Sequence, residues 1–146
     1  MTTAKTILIT GVSSGFGLAL AQEALRAGHR VIGTVRNRAA LEAFEALDPA
    51  RAAGRLLDVT EAERIDEVVR EIESTFGEVD VLVNNAGYGH EGIMEESSLE
   101  EMRHQFDVNV FGAVAMIKAL LPGMRQRRRG HIINITSMGG FITLPG

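Results

Sequence analysis

Short apolar runs alternate along the chain with segments whose apolar residues recur at helical spacing, a pattern of parallel β-α-β units rather than of hairpins. Thr6–Thr10 reads as a first strand, and Phe16–Arg26 as a helix with Leu18, Leu20, Ala21, Ala24 and Leu25 inward and Gly28 closing its C-terminus. Arg30–Val35 is a second strand, Arg38–Leu47 a short helix stopped by Asp48-Pro49, and Arg55–Asp58 a short third strand. Thr60 is expected to cap a helix over Glu61–Phe76, with Glu63 at the capping-box position and Ile65, Val68, Val69 and Ile72 buried. Val79–Val83 is almost continuously apolar, as the centre of a sheet covered on both faces requires. A Gly-rich loop, Gly87 to Gly92, leads to a long helix, Ser98–Leu121, whose inward stripe is read as Met102, Phe106, Val110, Ala113 and Ile117; Pro122 leaves its end open. His131–Ile135 is the fifth strand. With right-handed crossovers these elements predict an α/β, doubly wound parallel sheet in three α/β/α layers, strand order 3-2-1-4-5, forming one domain over residues 1–146. The fifth strand would be a bare apolar edge, which proteins normally cover or charge, so the chain is expected to continue beyond Gly146.

Composition narrows the function without naming it. Apolar residues at 45%, charged residues at 23% and a formal net charge of −4 describe an ordinary globular chain and argue against a nucleic-acid partner, which would need a basic face. Arg125, Arg127, Arg128 and Arg129 do cluster, and are read as a solvated helix end. Cysteine is absent, which excludes disulfides and thiolate metal sites, and no metal is expected. No secretory signal precedes the first strand and no apolar run approaches the ~20 residues needed to cross a bilayer, so a cytoplasmic protein without a membrane partner is the expectation.

The chemistry begins at Thr10-Gly11-Val12-Ser13-Ser14-Gly15-Phe16-Gly17, a tight turn from a buried strand into a helix. Its glycines let the backbone approach an anion closely, and the first-turn amides and helix dipole then face a phosphate. Alone such a turn is a weak signal. Four more places agree with it: Asp58-Val59 ending the third strand, Asn84-Asn85-Ala86-Gly87 after the fourth, Asn109 in the long helix and Ser137 just past the fifth strand. Together they resemble the short-chain dehydrogenase/reductase superfamily, whose first turn reads Thr-Gly-x-x-x-Gly-x-Gly, over the whole chain but over only the N-terminal part of the family's length.

That resemblance implies a Rossmann-like fold and a nicotinamide cofactor held by Gly11, Ser13, Ser14, Gly15, Phe16, Gly17, Asp58, Val59, Asn85, Ala86 and Gly87. The Asn side chain would satisfy loop backbone groups, Ala86 and Gly87 would leave room for ribose and adenine, and Asp58 would meet the adenine edge. At the end of the second strand Val35 stands where an NAD enzyme carries an acid, and Arg36 follows it, so NADP is expected over NAD, with Ser13 and Asn37 as further phosphate partners.

For catalysis the resemblance implies Ser137 on the substrate oxygen and Asn109 bending the long helix and holding a relay water. The substrate class is then a small-molecule alcohol or ketone, bordered by Tyr88, His90, Glu91, Ile93 and Met94, whose Met/Ile lining hints at an apolar alcohol such as a steroid or retinoid, and the Ser98–Leu121 helix is a candidate subunit interface. Hydride transfer to a carbonyl needs an acid, which the family supplies from Tyr-x-x-x-Lys. That motif lies farther past Ser137 than the nine residues remaining here, and the one tyrosine, Tyr88, has Gly92 where the lysine would stand. The 146 residues alone are therefore expected to be inactive, as part of a longer oxidoreductase or, alternatively, a non-catalytic NADP(H)-binding module.

Overall fold

The computed structural model describes residues 3–140. In chain order the elements are β1 (Thr6–Thr10), α1 (Gly15–Arg26), β2 (Arg30–Val35), α2 (Arg38–Glu45), β3 (Ala52–Leu56), α3 (Ala62–Phe76), β4 (Val81–Asn84), α4 (Leu99–Phe106), a π-helical segment (Asp107–Gly112), α5 (Ala113–Gln126) and β5 (His131–Asn134). The strands form one sheet in the expected order β3-β2-β1-β4-β5, all pairs parallel, with Leu8 opposite Ile32 and Leu82. Because side chains alternate across a strand, the sheet feeds two cores. Leu8, Ile32 and Leu82 pack with Ile65, Val69 and Ile72 of α3 and Met116 and Leu120 of α5. Ile9, Val31, Val35 and Val83 pack on the other side with Ala21 and Leu25 of α1 and Phe44 of α2.

Local spacing located most elements, and the departures have physical causes. The third strand runs from Ala52 to Leu56, earlier than Arg55–Asp58, because pairing with β2 selects it: Val31 faces Ala52, Gly33 faces Gly54 and Val35 faces Leu56. Ala and Gly are poor strand formers, so the apolar pair Leu56-Leu57 drew the prediction too far along. Helix α3 begins at Ala62, after Glu61, with no side-chain cap; Thr60 instead donates its hydroxyl to Asp58 Oδ1 at 2.8 Å. The capping box lies elsewhere, at the start of α4, between Ser98 and Glu101.

The largest correction concerns the long helix. Its buried face is Gly112, Met116, Leu120 and Met124, whereas Phe106 is 57% exposed and Val110 42% exposed. A single helical period was carried across the whole segment, but the wider π turn at Asp107–Gly112 shifts the phase between α4 and α5. The helix also continues through Pro122 to Gln126. Leu99–Gln126 is, by length and composition, long and apolar enough to cross a bilayer. Apolar runs missed this because Asp107, Asn109 and Lys118 interrupt them. The arginine cluster is not uniformly solvated either: Arg127, 12% exposed, donates to the Val79 carbonyl at 2.5 Å and lies near Glu73 and Glu78, pinning the end of α5 to the start of β4.

Candidate functional site

All five strands point their carboxyl ends the same way, and the loops after β1, β2, β3 and β4 converge there, where open parallel sheets place their ligands. The first loop is built by backbone constraint. Gly11 sits at φ +73°, a left-handed conformation, and its N–H and that of Val12 both donate to the Thr34 carbonyl at 3.1 Å, tying the turn to the end of β2. A Cβ at Gly17 would overlap Gly11 O and Asn85 Nδ2, so the start of α1 lies against the loop with no room for a side chain.

The end of β4 latches onto this turn. The buried hydroxyl of Thr10 accepts from the N–H groups of Asn85 and Ala86, both at 3.0 Å, while Asn85 Nδ2 donates to the carbonyls of Thr10 and Gly11, also at 3.0 Å. Asn85 is thus spent on holding the turn. Ser14, the N-cap of α1, is extended and makes no side-chain capping bond, which leaves the first-turn amides of that helix to whatever enters the cleft.

The cleft has a volume of about 680 Å³. It is lined by the turn itself, Gly11 and Ser13 to Phe16, by Thr34, Val35 and Arg36 at the end of β2, by Leu57, Asp58 and Val59 after β3, by Asn85 to Tyr88 after β4, and by His104 and Val108. Asp58 Oδ1 is occupied by the Thr60 N–H at 3.0 Å and by its hydroxyl. Burial pushes the Asp58 carboxyl up, but those two hydrogen bonds and the positive charges of Arg36 and His104 outweigh it and hold the group below the ordinary carboxylate value of 3.8. Asp58 is therefore an anion in the cleft lining at neutral pH.

Most of the residues singled out from sequence meet here, and four do not. Among the described residues, Gly17, Asn37, Asn109 and Ser137 stand back from the cleft surface. Gly17 is packed behind the turn. Asn37 uses its side-chain oxygen to cap α2, accepting from Ala40 N at 2.9 Å. Asn109 clamps the next loop instead: its Oδ1 accepts from Tyr88 N at 3.0 Å and its Nδ2 donates to Tyr88 O at 2.8 Å. Ser137 is exposed and its hydroxyl accepts from Gly139 N at 3.1 Å. Of the residues expected to border a substrate, only Tyr88 lines the cleft; His90 is paired with Ser97 at 2.9 Å and Met94 is exposed. Thr34, Leu57, His104 and Val108 were not anticipated. The last two stand one helical turn apart, a signal that the misphased stripe concealed.

Comparison with known proteins agrees with this geometry. The family profile described as short chain dehydrogenase matches residues 5–146. The chain belongs to the short-chain dehydrogenase family. It is 43% identical to a 3-ketodihydrosphingosine reductase of Bacteroides thetaiotaomicron, covering 95% of this chain and 49% of that protein. It is 45% identical to human retinol dehydrogenase 8, covering 94% of this chain and 45% of that protein. A short-chain dehydrogenase from Streptomyces avermitilis superposes with a TM-score of 0.94 at 47% identity, over 99% of this chain and 53% of that one. ElxO with NADP bound superposes with a TM-score of 0.90 at 31% identity, over 98% of this chain and 59% of that one. The chain thus spans about half the length of the relatives it matches. The parallel sheet is the Rossmann-like fold of this family.

Proposed function

We propose that this short-chain dehydrogenase chain is the cofactor-binding part of an NADP(H)-dependent oxidoreductase that interconverts an alcohol and a ketone or aldehyde. The observation that carries the reading is the cleft itself, in which a glycine-built turn and uncapped helix amides stand beside Arg36, with Val35 where a carboxylate would select NAD. These residues fit a dinucleotide. The amides from Ser13 to Gly17 would take the diphosphate, and Ala86 and Gly87 would lie against the ribose. Asp58 and Val59 would meet the adenine, the carboxylate accepting from its exocyclic amine. Arg36 would hold the 2′-phosphate through a planar guanidinium suited to two oxygens, with Ser13 beside it. Asn37, whose oxygen caps α2, has its amide group left for that phosphate.

The bound cofactor would supply the hydride. Of this chain's own residues, Asn109 fixes the Tyr88 loop from the π segment, and Ser137, beyond the end of β5, would hydrogen-bond the substrate oxygen at the reacting end. No proton donor is assigned among these residues, since Tyr88 lacks a lysine four positions later, so turnover by the 146 residues alone is not expected.

Titration of NADPH and NADH fluorescence against the wild-type chain and Arg36→Asp tests the reading. The substitution should weaken NADPH about ten- to a hundred-fold, the loss of a charge-assisted pair, and change NADH by less than about threefold. Equal losses for the two cofactors would refute the role of Arg36, and no binding of either by wild type would refute the proposal as a whole.

A further inference from the structure

The cleft lining carries a group that no part of the proposed function uses. His104, from α4, lines the cleft together with Val108 of the π segment. Its ring centroid lies 5.9 Å from that of Tyr88, with the two planes tilted by 39°. Tyr88 in turn is held to the same helix three times, by Gln105 Nε2 on its carbonyl at 3.3 Å and by the two Asn109 bonds, so the aromatic pair forms one unit with α4 and the π segment. The π segment that follows α4 packs on the loop after β3, where a Cβ at Gly112 would meet Val59 at 2.8 Å, so the helix bearing His104 lies on the Asp58 side of the cleft that both residues line.

That end has a matching demand. The purine of a dinucleotide offers one exocyclic amine, a donor, and ring nitrogens that only accept. Asp58, with Oδ1 already taken by Thr60, has its second oxygen for the amine. A carboxylate cannot serve the ring nitrogens, and the proposed function commits Arg36 to the phosphate. Imidazole carries an N–H donor in either tautomer and when protonated. We propose that His104 recognises the adenine base, donating to a purine ring nitrogen on the side away from Asp58 while Tyr88 limits the tilt of its ring. This rests on the dinucleotide reading and adds to it a residue that reads the base rather than the phosphate.

The test is isothermal titration of NADPH and NADH into wild type, His104→Ala and His104→Gln, each first melted by circular dichroism. His104 is exposed, so both variants should melt with wild type. His104→Ala should weaken NADPH and NADH alike, by about five- to tenfold, while His104→Gln, which keeps a donor, should stay within about twofold of wild type. A loss confined to NADPH would make His104 a phosphate-side charge and overturn the proposal. Unchanged binding by His104→Ala, or equal loss in both variants, would overturn it too. In each of these cases wild type still binds and the NADP(H) reading stands; binding of neither cofactor by wild type would remove both.

Discussion

Thr10→Val isolates the latch between the two loops that frame the cleft. Valine is nearly isosteric with threonine and at home in a strand, so the apolar packing of a position that is 1% exposed is kept while one hydroxyl oxygen is lost. That oxygen accepts from Asn85 N and Ala86 N, and no substitute acceptor is at hand when a methyl takes its place. Leaving a buried or half-buried N–H unpaired costs about 1–3 kcal/mol, so two such groups, partly relieved by water at the cleft, predict a loss of about 2–4 kcal/mol. For a chain of this size that lowers the melting temperature by about 6–16 °C. The Asn85 side chain, which bridges the Thr10 and Gly11 carbonyls, would lose its seat with the backbone, so NADPH affinity should fall as well. Urea unfolding followed by circular dichroism and an NADPH titration measure both effects, and Thr10→Ser, which restores the oxygen, should recover most of each. A Thr10→Val protein within about 0.5 kcal/mol of wild type and equal in NADPH affinity would show that the latch does not hold the turn.

Two further predictions follow from the same contacts. Because the folded Asp58 carboxyl lies below its ordinary value of 3.8, its stabilising contribution is complete above about that pH and is lost as pH falls through the lowered folded value; Asp58→Asn should flatten that part of the acid-unfolding profile, and identical acid limbs would count against the Thr60, Arg36 and His104 interactions. Arg127→Met should destabilise the fold by about 1–3 kcal/mol by leaving the carbonyl of the buried Val79 unpaired, whereas the exposed neighbour Arg125→Met should change it by less than about 0.5 kcal/mol; equal effects in chemical denaturation would argue that Arg127 is only a surface charge.

How far the site was legible depends on how local each residue's task is. The turn from Thr10 to Gly17 could be read because its glycines answer to the backbone in their own neighbourhood, and Gly28, at φ +87° just after α1, is the same kind of signal. Asp58 and Asn85 to Gly87 could be placed because strand ends in a parallel sheet all arrive at one edge. The jobs of Asn37 and Asn109 were less accessible. Each carries one amide, and whether that amide faces a ligand, a helix end or the Tyr88 loop depends on what folding brings beside it. His104 was invisible for a related reason: a helix whose register shifts at a π segment presents a face that constant spacing does not predict.

Apolar spacing settled the element order and the glycines the first turn, because those follow from a few residues acting through the backbone, while the strand order followed once right-handed crossovers were imposed on that element order. The span of β3, the buried face of α5, the inward position of Arg127 and the seat of His104 in the cleft arose from packing between segments far apart in the chain. Such pairings compete with one another for burial and hydrogen bonds, and only the assembled fold decides which of them win.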